Sequence, residues 1–348
     1  MDDNDNNMLP IMFAGTEQIM VLDGDFETQL RTRMKLPIET DQTFMLHALK
    51  LCYQYDVCKT YLEFLINGAQ IIRTNTYRTV GKVLIKYLGI KEAEGLLLIA
   101  HNVKVIKTAI KRYYELMLED GKDLHSQLRP LIAGLCGSCA AANFDNLDEA
   151  VVHAKHLTLE YLKYFHRPRV NTLLNAGVDL LTFECIPSLK EAKAVIELLK
   201  DYPKARALIT FLCTQKMKIV DGSDLVEAIK HCYDYYQPRQ ILAFGFACYD
   251  WQSPNALKPL LEKINENRSS KIPLMCYVQN TLFSYGFADK PGFEMQQIIL
   301  RKWLDMGVRY VGGGVGMIPE NMKVLCKTLR RCVRLKESPT TNSGYSCS

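Results

Sequence analysis

Asn175-Ala176-Gly177-Val178-Asp179-Leu180-Leu181-Thr182-Phe183-Glu184-Cys185-Ile186-Pro187 joins a helix stop directly to a strand, with almost no loop between them. Glycine after the last helical turn accommodates the left-handed cap that ends helices. The run Asp179–Ile186 is apolar at nearly every position rather than at alternate ones, which is the pattern of a parallel strand covered on both faces. Glu184 interrupts it. A carboxylate inside such a strand is costly unless paired, so it marks either a ligand site or a structural carboxylate bonded to nearby backbone or Arg groups.

Seven further runs of the same kind lie on either side: Ile19–Phe26, Ala69–Tyr77, Leu131–Ser138, Ala205–Cys213, Ile241–Cys248, Ile272–Gln279 and Arg309–Gly316. Helical patterns fill the gaps. Glu149–Ala176 is amphipathic, Ser188–Leu199 opens with the capping-box pattern Ser-Leu-Lys-Glu, and Asp221–Tyr236 starts on small polar residues. Lys111–Pro130 is longer and more polar than a plain connection needs, and predicts a helix extension plus a surface loop. Eight strands alternating with helices predict a single α/β domain, a (β/α)8 TIM barrel over residues 16–335, with an open doubly wound sheet as the alternative. Residues 1–15 are expected to form a polar tail and residues 336–348, rich in Ser, Thr, Pro and Gly, a disordered one.

The 348 residues are 48% hydrophobic and can bury a sizeable core. A net charge of +5, spread over 43 basic and 38 acidic residues without long basic runs, argues against a nucleic-acid partner. Met1-Asp2-Asp3-Asn4-Asp5 is acidic where a secretory signal would be basic and then apolar, and no apolar run is long enough to span a membrane. Twelve cysteines without an export signal fit a reducing, cytoplasmic setting.

In a barrel, chemistry gathers at the C-terminal ends of the strands. Those ends carry Asp23, Asp25, Glu27, Thr28, Asn75, Thr76, Cys136, Cys139, Glu184, Cys213, Cys248, Gln279 and the run Gly312–Gly316. His153 and His156 have a metal-compatible spacing but no accompanying ligand residue, and read as a solvated helix face.

The segment Phe165-His166-Arg167-Pro168-Arg169-Val170, followed by Asn175 to Pro187, resembles the homocysteine S-methyltransferase family. Val21-Leu22-Asp23-Gly24-Asp25-Phe26-Glu27-Thr28, Thr74-Asn75-Thr76-Tyr77 and Phe244-Gly245-Phe246-Ala247-Cys248 resemble its first, second and sixth strand segments, in the same order. The resemblance implies a zinc barrel that methylates homocysteine to methionine, with S-methylmethionine or S-adenosylmethionine rather than betaine as donor. Zinc would hold the substrate sulfur as a thiolate, since a free thiol with a pKa of about 8.5 is mostly protonated at neutral pH. By the same resemblance, the backbone around Asp25, Phe26, Glu27 and Thr28 would receive the amino-acid carboxylate, and Asp23 and Glu184 its ammonium group. Arg167 and Arg169 would either position Glu184 or pack against the following helix.

The pattern departs at the strand ends. Of three zinc cysteines implied by the family only Cys248 is present, with Gly314 and Val315 at the other two positions. Zinc binding is therefore expected to be impaired, with a non-catalytic amino-acid-binding protein as the alternative to an enzyme. Cys136-Gly137-Ser138-Cys139 has the spacing of a substitute thiol pair. Cys185 and Cys213 are expected to alternate away from the inward face, and Cys276 to pack in mid-strand.

Overall fold

A computed structural model describes residues 18–36, 43–123, 128–143, 149, 152, 156–214, 216–236, 240–248, 258–279 and 290–337. All eight expected strands are present. They are β1 (Met20–Val21), β2 (Ile71–Arg73), β3 (Leu131–Gly137), β4 (Leu180–Ile186), β5 (Ala207–Cys213), β6 (Ile241–Cys248), β7 (Leu274–Val278) and β8 (Val308–Gly313). The strands pair in parallel in the order β1-β8-β7-β6-β5-β4-β3-β2. A parallel bridge between Leu22 and Ile71 joins the two ends, with Asp23 N donating to Ile71 O at 2.9 Å. The sheet therefore closes on itself as a (β/α)8 barrel, and the open doubly wound alternative is set aside.

Two apolar layers explain why the strands are hydrophobic on both faces. Met20, Leu22, Ile71, Leu131, Ala133, Leu180, Leu208, Ala243, Met275 and Tyr310 fill the barrel interior, and every strand contributes to them. The alternate positions, such as Ile72, Phe183, Ile209, Phe244, Cys276 and Val311, pack outward beneath the helices. Burial of both faces is what removes the period-two alternation from the sequence.

Most differences from expectation concern where strands stop. β1 and β2 are shorter than their apolar runs, because Asp25 leaves the strand to cap the helix Phe26–Arg33 and Thr74–Tyr77 turn away to bond β3. The long connection is a helix, Glu92–Glu119, which accounts for much of the predicted extension. Leu159–Ala176 forms the helix before β4, capped by Thr158 and ended by Gly177 at φ 83°. The last helix reaches Glu337, and the remainder of the expected C-terminal tail, like residues 1–15, lies outside the described residues.

Ser188 caps the Leu189–Leu199 helix, accepting from Glu191 N at 3.1 Å. The capping box is only half made. The Glu191 carboxylate turns inward, where Oε1 accepts from Cys139 N at 2.7 Å and bonds His166 Nε2 at 2.8 Å. Nη2 of Arg169 donates to His166 Nδ1 at 3.2 Å, so Nδ1 must be the acceptor and Nε2 carries the proton of a neutral ring. Burial lowers the His166 pKa from 6.5, opposed by Glu191. Since unfolding lets this ring take up a proton, its contribution to stability is intact above about pH 6.5 and is lost as pH falls toward the folded pKa. The slope approaches about 1.4 kcal/mol per pH unit within that window. Comparing wild type with His166→Gln in urea titrations across pH 7.5 to 5 should show that slope disappear in the variant; parallel profiles would refute it.

Candidate functional site

The C-terminal mouth of the barrel begins one layer above the interior apolar residues. Interior positions on β2, β4 and β7 continue as Arg73, Thr182 with Glu184, and Tyr277. These side chains meet. Arg73 Nε donates to Asp23 Oδ1 at 2.6 Å, and its backbone N–H to Asp23 Oδ2 at 3.0 Å. Nη1 lies 3.3 and 3.4 Å from the two Glu184 oxygens and 3.3 Å from the Tyr277 hydroxyl. Nη2 donates to the carbonyls of Gly24 at 2.8 Å and Asp23 at 3.3 Å. The Tyr277 hydroxyl in turn donates to Glu184 Oε1 at 2.6 Å, and Thr182 Oγ1 to the same oxygen at 3.3 Å.

Asp23 and Glu184, expected together, are thus brought to one point, but an internal guanidinium lies between them. Both are buried, at 1% and 8% exposure. Burial works against the Arg73 charge, yet Asp23 and Glu184 outweigh it and hold its pKa well above the ordinary value. Burial also raises the Asp23 pKa, with Arg73 opposing. Tyr277 is pushed well up by burial and by Glu184, so it remains a proton donor.

Neither Arg73 nor Tyr277 was assigned a role from sequence. The signal existed: Arg73 is a charged residue inside an apolar run, two positions beyond inward-facing Ile71, and Tyr277 stands two beyond inward-facing Met275. Gly312 gives the tyrosine its space, since a Cβ there would lie 2.7 Å from the ring.

The loop after β1 is organised by backbone contacts. Asp25 caps the Phe26–Arg33 helix, with Oδ1 accepting from Thr28 N at 3.1 Å and Oδ2 from Thr28 Oγ1 at 2.7 Å. Oδ2 also accepts from Gly316 N at 2.9 Å, which ties this loop to the end of β8. Gly24 is required here because a Cβ would fall 2.0 Å from Met317 O. Phe26 packs on Tyr61 with ring centroids 4.5 Å apart, and Glu27 pairs with Arg31 at 3.0 Å. Asn75 and Thr76 are framework residues: Asn75 N donates to the Tyr61 hydroxyl and Asn102 Oδ1, and Thr76 Oγ1 to Leu135 O.

Arg169 is buried and holds the carbonyls of Tyr77 at 3.1 Å and Gly137 at 2.7 Å, so it organises the segment that follows β2 and the end of β3 rather than Glu184. Arg167 is on the surface, paired with Asp201 at 2.8 Å.

The cysteines disperse. Cys136 packs in the layer between strands and helices, and Cys139 packs with Leu162 and Ala194. Burial raises the Cys136 pKa. Cys213 and Cys276 also pack outward. Cys185 sits where the β4–β5 register shifts, at φ 57°, so simple alternation does not apply to it. Burial, followed by the Glu184 charge, raises its pKa to about 12. Cys248 ends β6 in register with Cys213. Gly314 N donates to Val278 O at 2.8 Å, and a Cβ on Gly314 would make only ordinary contacts at 3.4 Å or more. Val315 is 75% exposed. Among the described residues, no group of three His, Cys, Asp or Glu side chains is placed to hold a metal ion, and no helix is long and apolar enough to cross a membrane. His153 lies outside the described residues, and His156 is exposed.

Comparison with known proteins agrees with this architecture. Residues 20–329 match the family model described as homocysteine S-methyltransferase. A betaine-homocysteine S-methyltransferase from Drosophila melanogaster is 30% identical, covering 90% of this chain and 94% of that protein. The homocysteine S-methyltransferase of Escherichia coli is 26% identical, covering 89% and 94%. A crystal structure of the homocysteine methyltransferase MmuM from Escherichia coli, in metallated form, superposes with a TM-score of 0.71 at 26% identity, covering 89% of this chain and 96% of that one. The match over residues 20–329, with relatives of this similarity spanning nearly their whole length, leads to one assignment: the chain belongs to the homocysteine S-methyltransferase family.

Proposed function

We propose that this chain is a family member that does not carry out zinc-dependent methyl transfer to homocysteine, and whose barrel mouth serves as a non-catalytic ligand site. One observation carries the reading: Gly314 and Val315 offer no donor atom at the two positions where the family resemblance requires thiolates. Cys248 alone cannot supply the sulfur-rich tetrahedral set that zinc prefers. The residues therefore do not fit the metal, and no methyl-transfer step is routed through it.

The rival reading, a working enzyme with a relocated thiol site, would need Cys136 and Cys139 near Cys248. Their packing beneath the helices, outside the barrel interior, weighs against it. The methyl donors that the resemblance implies, S-methylmethionine and S-adenosylmethionine, have no assigned task under the proposed reading. A sulfur-bearing compound related to homocysteine belongs to it only as a ligand.

The test is metal content of the chain purified under reducing conditions, alongside a methyl-transfer assay with homocysteine. Substoichiometric zinc and no methionine are expected; tightly bound zinc with turnover would overturn the proposal. The double variant Gly314→Cys/Val315→Cys should then gain zinc, because the Gly314 position has room for a side chain. Failure to gain metal would mean that more than the two missing ligands separates this strand end from a zinc site.

A further inference from the structure

The acceptors at the barrel mouth form a cradle for one cation. Two carboxylates, a tyrosine hydroxyl and two backbone carbonyls converge on a volume the size of a guanidinium, and all are contributed by strand ends or by the loop after β1. A buried set of this composition needs a positive charge at its centre, since two uncompensated carboxylates there would be strongly unfavourable. The geometry points to Arg73 as the chain's own occupant of a cation-recognition pocket, a specificity-determining residue that excludes ligands bearing an α-ammonium group.

Three features separate this from an ordinary structural ion pair. Nε, Nη1 and Nη2 each have protein acceptors, so little of the guanidinium's donor capacity is left for a ligand carboxylate. Arg73 acts as a plug rather than as an anion receptor. It enters from β2, while its acceptors come from the loop after β1, β4 and β7, so the pocket walls are held by separate parts of the barrel and need not collapse when the plug is removed. The Tyr277 ring also lies beside the guanidinium, with Cζ 5.3 Å from the ring centroid, and closes a cage suited to a cation of any origin.

Ligands that enter the mouth of the wild-type protein are therefore neutral or anionic, such as a thiol- or thioether-bearing carboxylate without the amino group. This deepens the reading of the mouth as a ligand site, but it does not depend on the loss of zinc chemistry, which metal analysis and turnover judge separately.

The test compares wild type with Arg73→Ala by calorimetric titration, using methylguanidinium, methionine, and 4-(methylthio)butyrate, which is methionine without its ammonium. Arg73→Ala should bind methylguanidinium and methionine at least about tenfold more tightly than wild type does, which is the equilibrium expression of about 1.4 kcal/mol. The butyrate should gain nothing from the substitution. Should Arg73→Ala fold poorly, Arg73→Ala/Glu184→Gln strands one carboxylate fewer and is expected to keep the gain for methylguanidinium. Equal affinity of wild type and folded variant for methionine and methylguanidinium would overturn the proposal, as would a folded variant with no affinity for either cation.

Discussion

Arg73→Ala is expected to lower the unfolding free energy by about 3–5 kcal/mol, the cost of breaking a buried ion pair by deleting one partner. The loss is large because the deletion leaves Asp23 at 1% and Glu184 at 8% exposure with no countercharge, and also frees the carbonyls of Asp23 and Gly24. The same argument makes a second, sharper claim. In Arg73→Met/Asp23→Asn/Glu184→Gln the charges vanish together, so much of the stability should return, because a buried ion cluster adds little over a neutral replacement of similar volume. Urea titrations with comparable m-values would measure both. A loss below about 1 kcal/mol for Arg73→Ala, the scale of an exposed pair, would contradict the burial argument.

A large loss is also expected for Glu191→Ala, about 1–3 kcal/mol for each of the two buried donors it would strand. This carboxylate is fully buried, and its Oε1 serves both Cys139 N–H and His166 Nε2–H. Removal leaves both donors without their acceptor, and loosens the His166 ring whose Nδ1 accepts from buried Arg169. Glu191→Gln keeps one acceptor oxygen and should cost less than the alanine variant. Amide exchange at Cys139 should accelerate most in Glu191→Ala; equal stability of the alanine and glutamine variants would show that the acceptor oxygen contributes nothing.

The strand count was legible because each strand is apolar on both faces and is separated by turn or cap residues with strong local preferences. Asn175-Ala176-Gly177 ended its helix where expected, with Gly177 in the left-handed cap. Segment ends were less legible. Asp25 reads equally well as a strand end or a helix cap, and only its contacts with Thr28 and Gly316 decide between them. Glu191 fits a local capping box, yet a buried histidine and an amide from the Cys139–Asn143 helix draw its carboxylate inward. Cys185 escapes alternation because the β4–β5 register shifts around it.

By itself the sequence determined the eight alternating strands and helices and the order of the family-like motifs, and it put Gly314 and Val315 where the resemblance implies cysteines, since these follow from local pattern and from the identity of single residues, whereas closure into a barrel waited on the pairing of Leu22 with Ile71. Only the tertiary structure decided what fills the space between Asp23 and Glu184. Arg73 is 50 residues from one and 111 from the other. Barrel closure brings the three within hydrogen-bond range, and the low-dielectric mouth makes their charges choose one another before any ligand arrives.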